Sequence, residues 1–456
     1  MRAGSSSRSG RSCARSRARK ACSARTCMAS VDVPVALLGY GTVGAAVNRL
    51  LVEGADEIER ATGHKLRVTR ALVRDTGKER DYPVADGVLT TDFRSVLEDD
   101  SIALVAEVMG GVEPTGGYVL DLLRSGKPVV SANKQLLARR SADLFEAASE
   151  GGVQLRFEAS VCAAIPVIKV LRESLVVTNV HRVLGIVNGT TNFILTRMEE
   201  GADYEEALAE AQRLGYAEAD PTDDVSGADA AAKMAVLATV AFGSRVELAD
   251  VAYEGIEGIK PHHVAAAREL ETVVRLVGSA TLVDGAVDVR VGPAFVDGHH
   301  PLAAVVGAFN AVMLQGDAIR EITLEGPGAG GIETASAVVA DMVSVLGTTG
   351  TGFLQNDACW RSLSKLPPGD LPGAFYVHLE VADRPGVLAH VADCFAEQDV
   401  SIAQLAQHLV NGTAALDLVT HEAPGGRVEA ALSSAAALAE VRSRPEALRM
   451  ITERGF

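Results

Sequence analysis

The sequence predicts an α/β chain: a doubly wound parallel sheet, then an α+β domain, then a small C-terminal βαββαβ unit. Three observations predict it. A glycine-punctuated strand–turn–helix pattern opens the globular part. Apolar strand-like runs then alternate with helix-like spacing. From residue 374 the pattern switches to strict alternation of apolar and polar residues. A chain of 456 residues exceeds what one core usually holds, so several domains are expected. With 48% apolar and 22% charged residues, global disorder is excluded. The net charge of −16 argues against nucleic acid as a partner. The apolar runs are too short for a membrane span.

Residues 1–30 carry eight Lys/Arg, many serines and no Asp or Glu. They read as a disordered basic tail, with a transit segment or a start at Met28 as alternatives. Cys13, Cys22 and Cys27 sit there. Cys162, Cys359 and Cys394 are scattered without a CxxC pair, which suits a reducing, cytoplasmic setting.

Residues 31–151 are expected to form the dinucleotide-binding domain. In VPVALLGYGTVGAAVNRLL an apolar run meets Gly39, Gly41 and Gly44, and Thr42 and Val43 open a helix. The first glycine makes the turn, the second lets backbone approach a pyrophosphate, and the third lets helix pack on strand. This is a Rossmann-type arrangement, because the glycines follow a strand and precede a helix. The next strand, Leu66 to Val73, ends in Arg74-Asp75. An acid here takes ribose hydroxyls and an arginine takes a 2′-phosphate; NADP is the favoured cofactor, with NAD the alternative. Gly110, Ser131 and Lys134 end or follow later strands and are expected to face the crevice.

Residues 152–324 read as an α+β substrate and dimerisation domain. Residues 325–350, a glycine loop containing Gly330 and then a helix, are expected to return to the nucleotide-binding domain. Residues 351–373, with Trp360, Pro367, Pro368 and Pro372, read as a linker, and 374–456 as the βαββαβ unit. In LGYAEADPTDDVSGADAAAK, Asp229 and Lys233 stand four apart on one helix face. An ordinary surface ion pair is the plain reading. A calcium loop is disfavoured, since the EF-hand spacing and its glycine are missing.

Five segments, GYGTVG, SANKQLL, GIVNGTTNFILTRM, AQRLGYAEADPTDDVSGADAAAKMAVLA and EGPGAGGIETASAVVADMV, together resemble homoserine dehydrogenase. The tail from Ala374, with DRPGVL, resembles an ACT domain, a ferredoxin-like amino-acid-sensing module. The resemblance implies reversible NAD(P)-dependent interconversion of L-homoserine and L-aspartate 4-semialdehyde, in threonine, methionine and isoleucine synthesis. It implies Lys233 as proton donor, with Lys134 the rival and a contact to cofactor and substrate. It implies Glu218 and Asp229 as partners of the substrate ammonium, Asp224 on the substrate side, and Gly215 and Gly330 beside the cofactor. Asp220 is expected to shape the turn. The resemblance further implies a Na+ or K+ ion held by Glu158 and the carbonyls of Val161, Ala163 and Ile165. Cys162-Ala163-Ala164 stand where the family has glycines, and alanine resists positive φ. For the tail it implies a regulatory turn, Asp383, Arg384, Pro385 and Gly386, threonine as effector, and a homodimer or homotetramer. Two other readings stay open. One is a thiol-dependent semialdehyde dehydrogenase using Cys162, which would need a base that no flanking histidine supplies. The other is a non-catalytic nucleotide- and amino-acid-binding regulator.

Overall fold

The structure, a computed structural model, describes residues 31–348, 364–367, 369–410 and 413–451. The expected tail 1–30, with three of the cysteines, and the stretch holding Cys359 and Trp360 lie outside the described residues.

Six strands form the first sheet: β1 (Val31–Leu38), β2 (His64–Leu72), β3 (Leu89–Thr90), β4 (Leu104–Glu107), β5 (Val129–Ser131) and β6 (Leu155–Arg156). Their order is β3-β2-β1-β4-β5-β6 and every pair is parallel. Val35 to Leu38 are fully buried because helices cover both faces of a parallel sheet. The chain reverses its direction of winding between β1 and β4, which opens a crevice at the carboxyl ends of the strands. The helices Thr42–Glu53 and Gly331–Thr348 share one face, where Val47, Val338 and Met342 join Val35 and Leu37 in a single core. Residues after 330 thus return to the first sheet. β2 ends at Leu72, one residue short of the expected Val73, and leaves Arg74 exposed beyond it.

The second sheet begins with β7 (Val180–Ile186), β8 (Ala252–Tyr253), β9 (Thr272–Val283), β10 (Ala286–Asp297), β11 (Phe309–Gly316) and β12 (Arg320–Pro327). The helix Ala228–Phe242 lies across it and is buried along almost its whole length. Gly278 on β9 permits that approach: a Cβ there would stand 2.5 Å from Met234 Sδ.

The C-terminal strands are β13 (Ser364–Lys365), β14 (Pro372–Val381), β15 (Ile402–Val410), β16 (Thr413–Thr420), β17 (Ala423–Pro424) and β18 (Glu446–Ile451). With the helices Val387–Ala396 and Gly425–Ala436 they make a βαββαβ unit of antiparallel order β18-β14-β16-β15. Val377, Leu379 and Val381 meet Val391, Phe395 and Val428 in its core. Two features were not expected. Ser364 and Lys365, inside the expected linker, pair with β10. β18 also pairs in parallel with β10, Ala294 opposite Arg449 and Val296 opposite Ile451, so the two sheets run on as one. Ladder hydrogen bonds left open at the edge of β10 are thereby satisfied.

Candidate functional site

The glycine turn follows from its sterics. Gly39 has φ +104, and a Cβ on Gly44 would stand 2.4 Å from the Gly39 carbonyl oxygen. Gly41 is exposed, with open space where its Cβ would be, and no side chain caps the helix Thr42–Glu53. Free backbone N–H groups at a helix start suit a pyrophosphate. A Cβ on Gly331, next to Gly330, would stand 2.9 Å from Thr42 Cγ2, which brings the second glycine loop against the first.

Glu107, at the end of β4, organises the floor of the crevice. Its Oε1 accepts the N–H groups of Met109 (3.0 Å) and Gly110 (3.1 Å), and its Oε2 accepts Ser131 Oγ at 2.6 Å. Burial raises its pKa above the carboxyl norm. Ser131 also accepts the Asn133 N–H, so its hydroxyl is spent inside the protein and does not point at a ligand. Asn133 caps the helix Lys134–Glu150 and ties it to the Gly111 carbonyl at 2.7 Å. Sequence reasoning missed Glu107 and Asn133. The available signal was a lone acid closing an apolar strand just before two glycines. At the far side Asp75 accepts the Gly77 N–H, and Arg80, which sequence reasoning also passed over, donates to the Tyr40 carbonyl in the glycine turn at 3.0 Å. Gly215 ends the helix Tyr204–Leu214 with φ +80 and is exposed.

A chain of charges joins the two sheets. Lys134 Nζ lies 2.6 Å from Asp229 Oδ1, and Lys233 Nζ lies 2.7 Å from Asp229 Oδ2. Lys233 also donates to the Val187 carbonyl at 2.7 Å. Asn188 Nδ2 bridges Asp224 Oδ1 (2.7 Å) and Asp229 Oδ2 (2.9 Å), and Thr190 donates to Asp224 Oδ2 at 3.2 Å. Lys233 and Asp229 are 7% and 4% exposed, which rules out the plain reading of a surface ion pair. Burial alone would raise the Asp229 carboxyl, but Lys233 and Lys134 outweigh it and hold it well below the usual range. Burial opposes the charge on Lys233, but Asp229 outweighs it and raises the ammonium above its ordinary value. A lysine that relays a proton near neutral pH would need a depressed pKa. The close carboxylate reverses the sign. Burial, then the Asp229 charge, raises Asp224.

Other expected residues fall differently. Asp229 has a lysine on each oxygen and Asn188 on Oδ2, so its first role is to anchor the two lysines. Glu218 is exposed and, among the described residues, makes no ion pair. Asp220 accepts the Thr222 N–H and hydroxyl, the turn role expected of it.

Cys162 and Ala163 both take left-handed backbone, φ 54 and 35, in the conformation glycine would hold without strain. The carbonyls of Val161 and Ala163 accept no hydrogen bond among the described residues, which fits them to a cation. Glu158 and Ile165 fit less well. Glu158 accepts the N–H groups of Ile168 and Lys169, both at 2.8 Å, while burial and Asp341 push its pKa up to about 7. The Ile165 carbonyl accepts the Val167 N–H. Burial pushes the Cys162 thiol up to about 11, so it is no activated nucleophile.

His262, His263 and Glu446 gather where the second sheet meets the C-terminal unit, close enough together for a metal. The Lys260 N–H donates to His263 Nδ1 at 3.1 Å, which puts the ring proton on Nε2, the atom that would have to ligate. The Lys260 ammonium also sits on Glu446. This is an ion-paired junction between two units. The turn Asp383–Gly386 is exposed, and Gly386 takes φ +91 to open the helix Val387–Ala396.

Two family models match the chain: homoserine dehydrogenase, NAD binding domain, over residues 39–158, and homoserine dehydrogenase over residues 166–343. A homoserine dehydrogenase of Bacillus subtilis is 40% identical over 400 residues, spanning 85% of this chain and 91% of its own length. One of Corynebacterium glutamicum is 42% identical over 398 residues, spanning 86% and 89%. The crystal structure of a homoserine dehydrogenase from Thiobacillus denitrificans aligns with TM-score 0.87 at 37% identity, covering 92% of this chain and 98% of that one. A hyperthermophilic archaeal homoserine dehydrogenase in complex with NADPH aligns with TM-score 0.58 at 30% identity, over 69% and 98%.

Proposed function

The chain belongs to the homoserine dehydrogenase family, and on that premise we propose which of its residues carry the reaction. The activity is NAD(P)-dependent interconversion of L-homoserine and L-aspartate 4-semialdehyde, which removes the thiol-dependent and non-catalytic readings. NAD(P), when bound, supplies the hydride acceptor or donor. The glycine turn, Gly39, Gly41 and Gly44, with Thr42 and Val43, would hold its pyrophosphate, and Arg74 with Arg80 lies at the adenosine side.

One observation carries the proposal: the buried pair Asp229 and Lys233 joins the half-exposed Lys134 where the nucleotide-binding domain meets the substrate domain. Lys233 spends two N–H groups on Asp229 and the Val187 carbonyl, and its third is free for a substrate oxygen. Held as an ammonium, it donates a proton to the aldehyde oxygen as that oxygen becomes an alcohol. In the reverse direction it must first lose its proton, so oxidation of homoserine is favoured by alkaline pH. Lys134, on the nucleotide-binding side of Asp229, orients substrate and cofactor. Asp224, with Glu218 brought in by its exposed loop, is the partner for the substrate ammonium. The carbonyls of Val161 and Ala163 would hold a monovalent cation that stiffens the loop behind Lys233.

The test is kinetic. Lys233→Met should lower kcat by about 10²–10⁴-fold with NAD(P) affinity kept; Lys134→Met should raise KM for both substrates. If Lys233→Met retains full kcat, the assignment passes to Lys134.

The proposal extends to regulation. The βαββαβ unit acts as an ACT domain, with the turn Asp383, Arg384, Pro385 and Gly386 receiving threonine. The exposed Leu405 and Leu409 on the edge strand β15 support side-by-side pairing of two such units, and hence a homodimer or homotetramer. The setting is the reducing cytoplasm expected from the scattered cysteines; among the described residues no helix is long and apolar enough to cross a membrane. L-threonine should slow the reaction and raise the melting temperature; neither effect would reduce this unit to an assembly role.

A further inference from the structure

A cavity of about 710 Å³ lies between β10 and the C-terminal unit. Arg290, Arg444, Arg449, Glu254 and Phe375 are among its lining residues, and the turn Asp383–Gly386 is not. Arg290 stands on β10 and Arg449 on β18, where Arg449 is opposite Ala294, so the two arginines line the seam between the two units four positions apart in register.

Their charges are poorly matched. Arg290 Nε lies 2.7 and 2.9 Å from the two oxygens of Asp288, while its buried Nη2 has no hydrogen-bond partner. Arg449 makes one long contact, Nη2 to the Pro372 carbonyl at 3.4 Å, and among the described residues no carboxylate stands within ion-pairing distance. Burial, then the Arg290 charge, pushes the Arg449 guanidinium down to about 10, so Arg449 remains a cation near neutral pH. Both arginines are partly buried, and the unpaired buried Nη2 of Arg290 is costly unless an anion takes it. Asp288 is ion-paired with Arg290, and Glu422 acts on Arg449 from further off; Glu254, Glu429 and Glu446 also line the cavity, yet among the described residues none of them is ion-paired with either arginine. Guanidinium forks match the geometry of a carboxylate or phosphate group. The cavity has the size of a small-molecule site.

We propose that this cavity binds a small oxyanion, a carboxylate- or phosphate-bearing metabolite, between Arg290 and Arg449. Such a ligand touches the second sheet and the C-terminal unit at once, so it ties the two together. The site is independent of the threonine turn proposed above.

The full-length protein is titrated calorimetrically with sodium succinate, sodium phosphate and L-threonine, each against sodium chloride at equal ionic strength. At least one oxyanion should bind saturably, and the succinate and phosphate arms tell which group is preferred. Arg449→Gln should weaken that binding by about tenfold or more, while kcat for homoserine is kept; Arg449→Lys should recover part of it. Crystals soaked in bromoacetate or selenate should show anomalous density between Arg290 and Arg449, a readout that needs no variant. Absence of saturable binding by wild type, or equal binding by Arg449→Gln, would falsify the proposal. It falls equally if Arg449→Gln changes the mass of the assembly, since the arginines would then pair with a second subunit.

Discussion

Asp229 and Lys233 were legible as a pair from their spacing of four, but their meaning was not. Spacing puts two groups on one helix face; it does not say whether that face is wet. Lys134 arrives from another domain, and Asn188 from a turn, so neither contact could be read along the chain. The sign of the lysine shift depended on those contacts. Since Asp229 raises Lys233 above its ordinary value of 10.5, the rate of homoserine oxidation should climb with pH up to that value without a plateau. A plateau near pH ~8 would show a depressed lysine instead. Ala163 offers a second test at this scale. Its φ of 35 is a conformation glycine holds more easily, so Ala163→Gly should raise stability by about 0.5–1 kcal/mol, read as a shift in the urea midpoint. The sequence flagged that alanine as a departure from glycine; the structure shows that the backbone kept the glycine conformation and accepted the strain.

At the level of elements, the strand–turn–helix around Gly39, Gly41 and Gly44 was readable because its requirement is local. Gly39 and Gly44 each answer to an atom a few residues away or just beyond the adjoining strand, and Gly41 leaves open the space beside the turn. Gly44→Ala would drive a Cβ to 2.4 Å from the Gly39 carbonyl oxygen. The variant should lose about 1–3 kcal/mol of stability and bind NAD(P) much more weakly, as fluorescence titration would show. A variant with unaltered affinity would mean that the helix can slide away. Glu107 was harder to read. An acid at the end of an apolar strand is visible, but the two turns it holds come from separate βα units. The alternating pattern of β14 and the helix after DRPG gave away the C-terminal unit for the same reason as the glycine turn, being signals carried within one element.

For the molecule as a whole, the pairing of β18 with β10 was invisible to sequence reasoning, because partners about 155 positions apart leave no periodic trace. The histidine junction at that seam gives a pH test. His263 is almost fully buried, and burial, then His262, pushes it down to about 4, against 6.5 when unfolded. His378, Glu446 and Lys260 also face it or its neighbour. As pH falls, the unfolded chain takes the proton first. Stability present above pH 6.5 should therefore be lost progressively toward pH 4, by on the order of 1–3 kcal/mol. His263→Gln should flatten that slope in denaturation curves taken across the window; parallel slopes for the two proteins would remove His263 as the cause. The position of β18 also bears on how the chain is made. It is the last described strand to leave the ribosome, yet it lies in the interior of the merged sheet, with β10 on one side and β14 on the other. Until it emerges, β10 lacks a partner at residues 294–296 and β14 has an unpaired edge, and the nascent protein carries two exposed templates for pairing with a neighbouring chain. Slow synthesis through residues 446–451, or truncation before them, should therefore show itself first as aggregation during translation, with the first parallel sheet already folded.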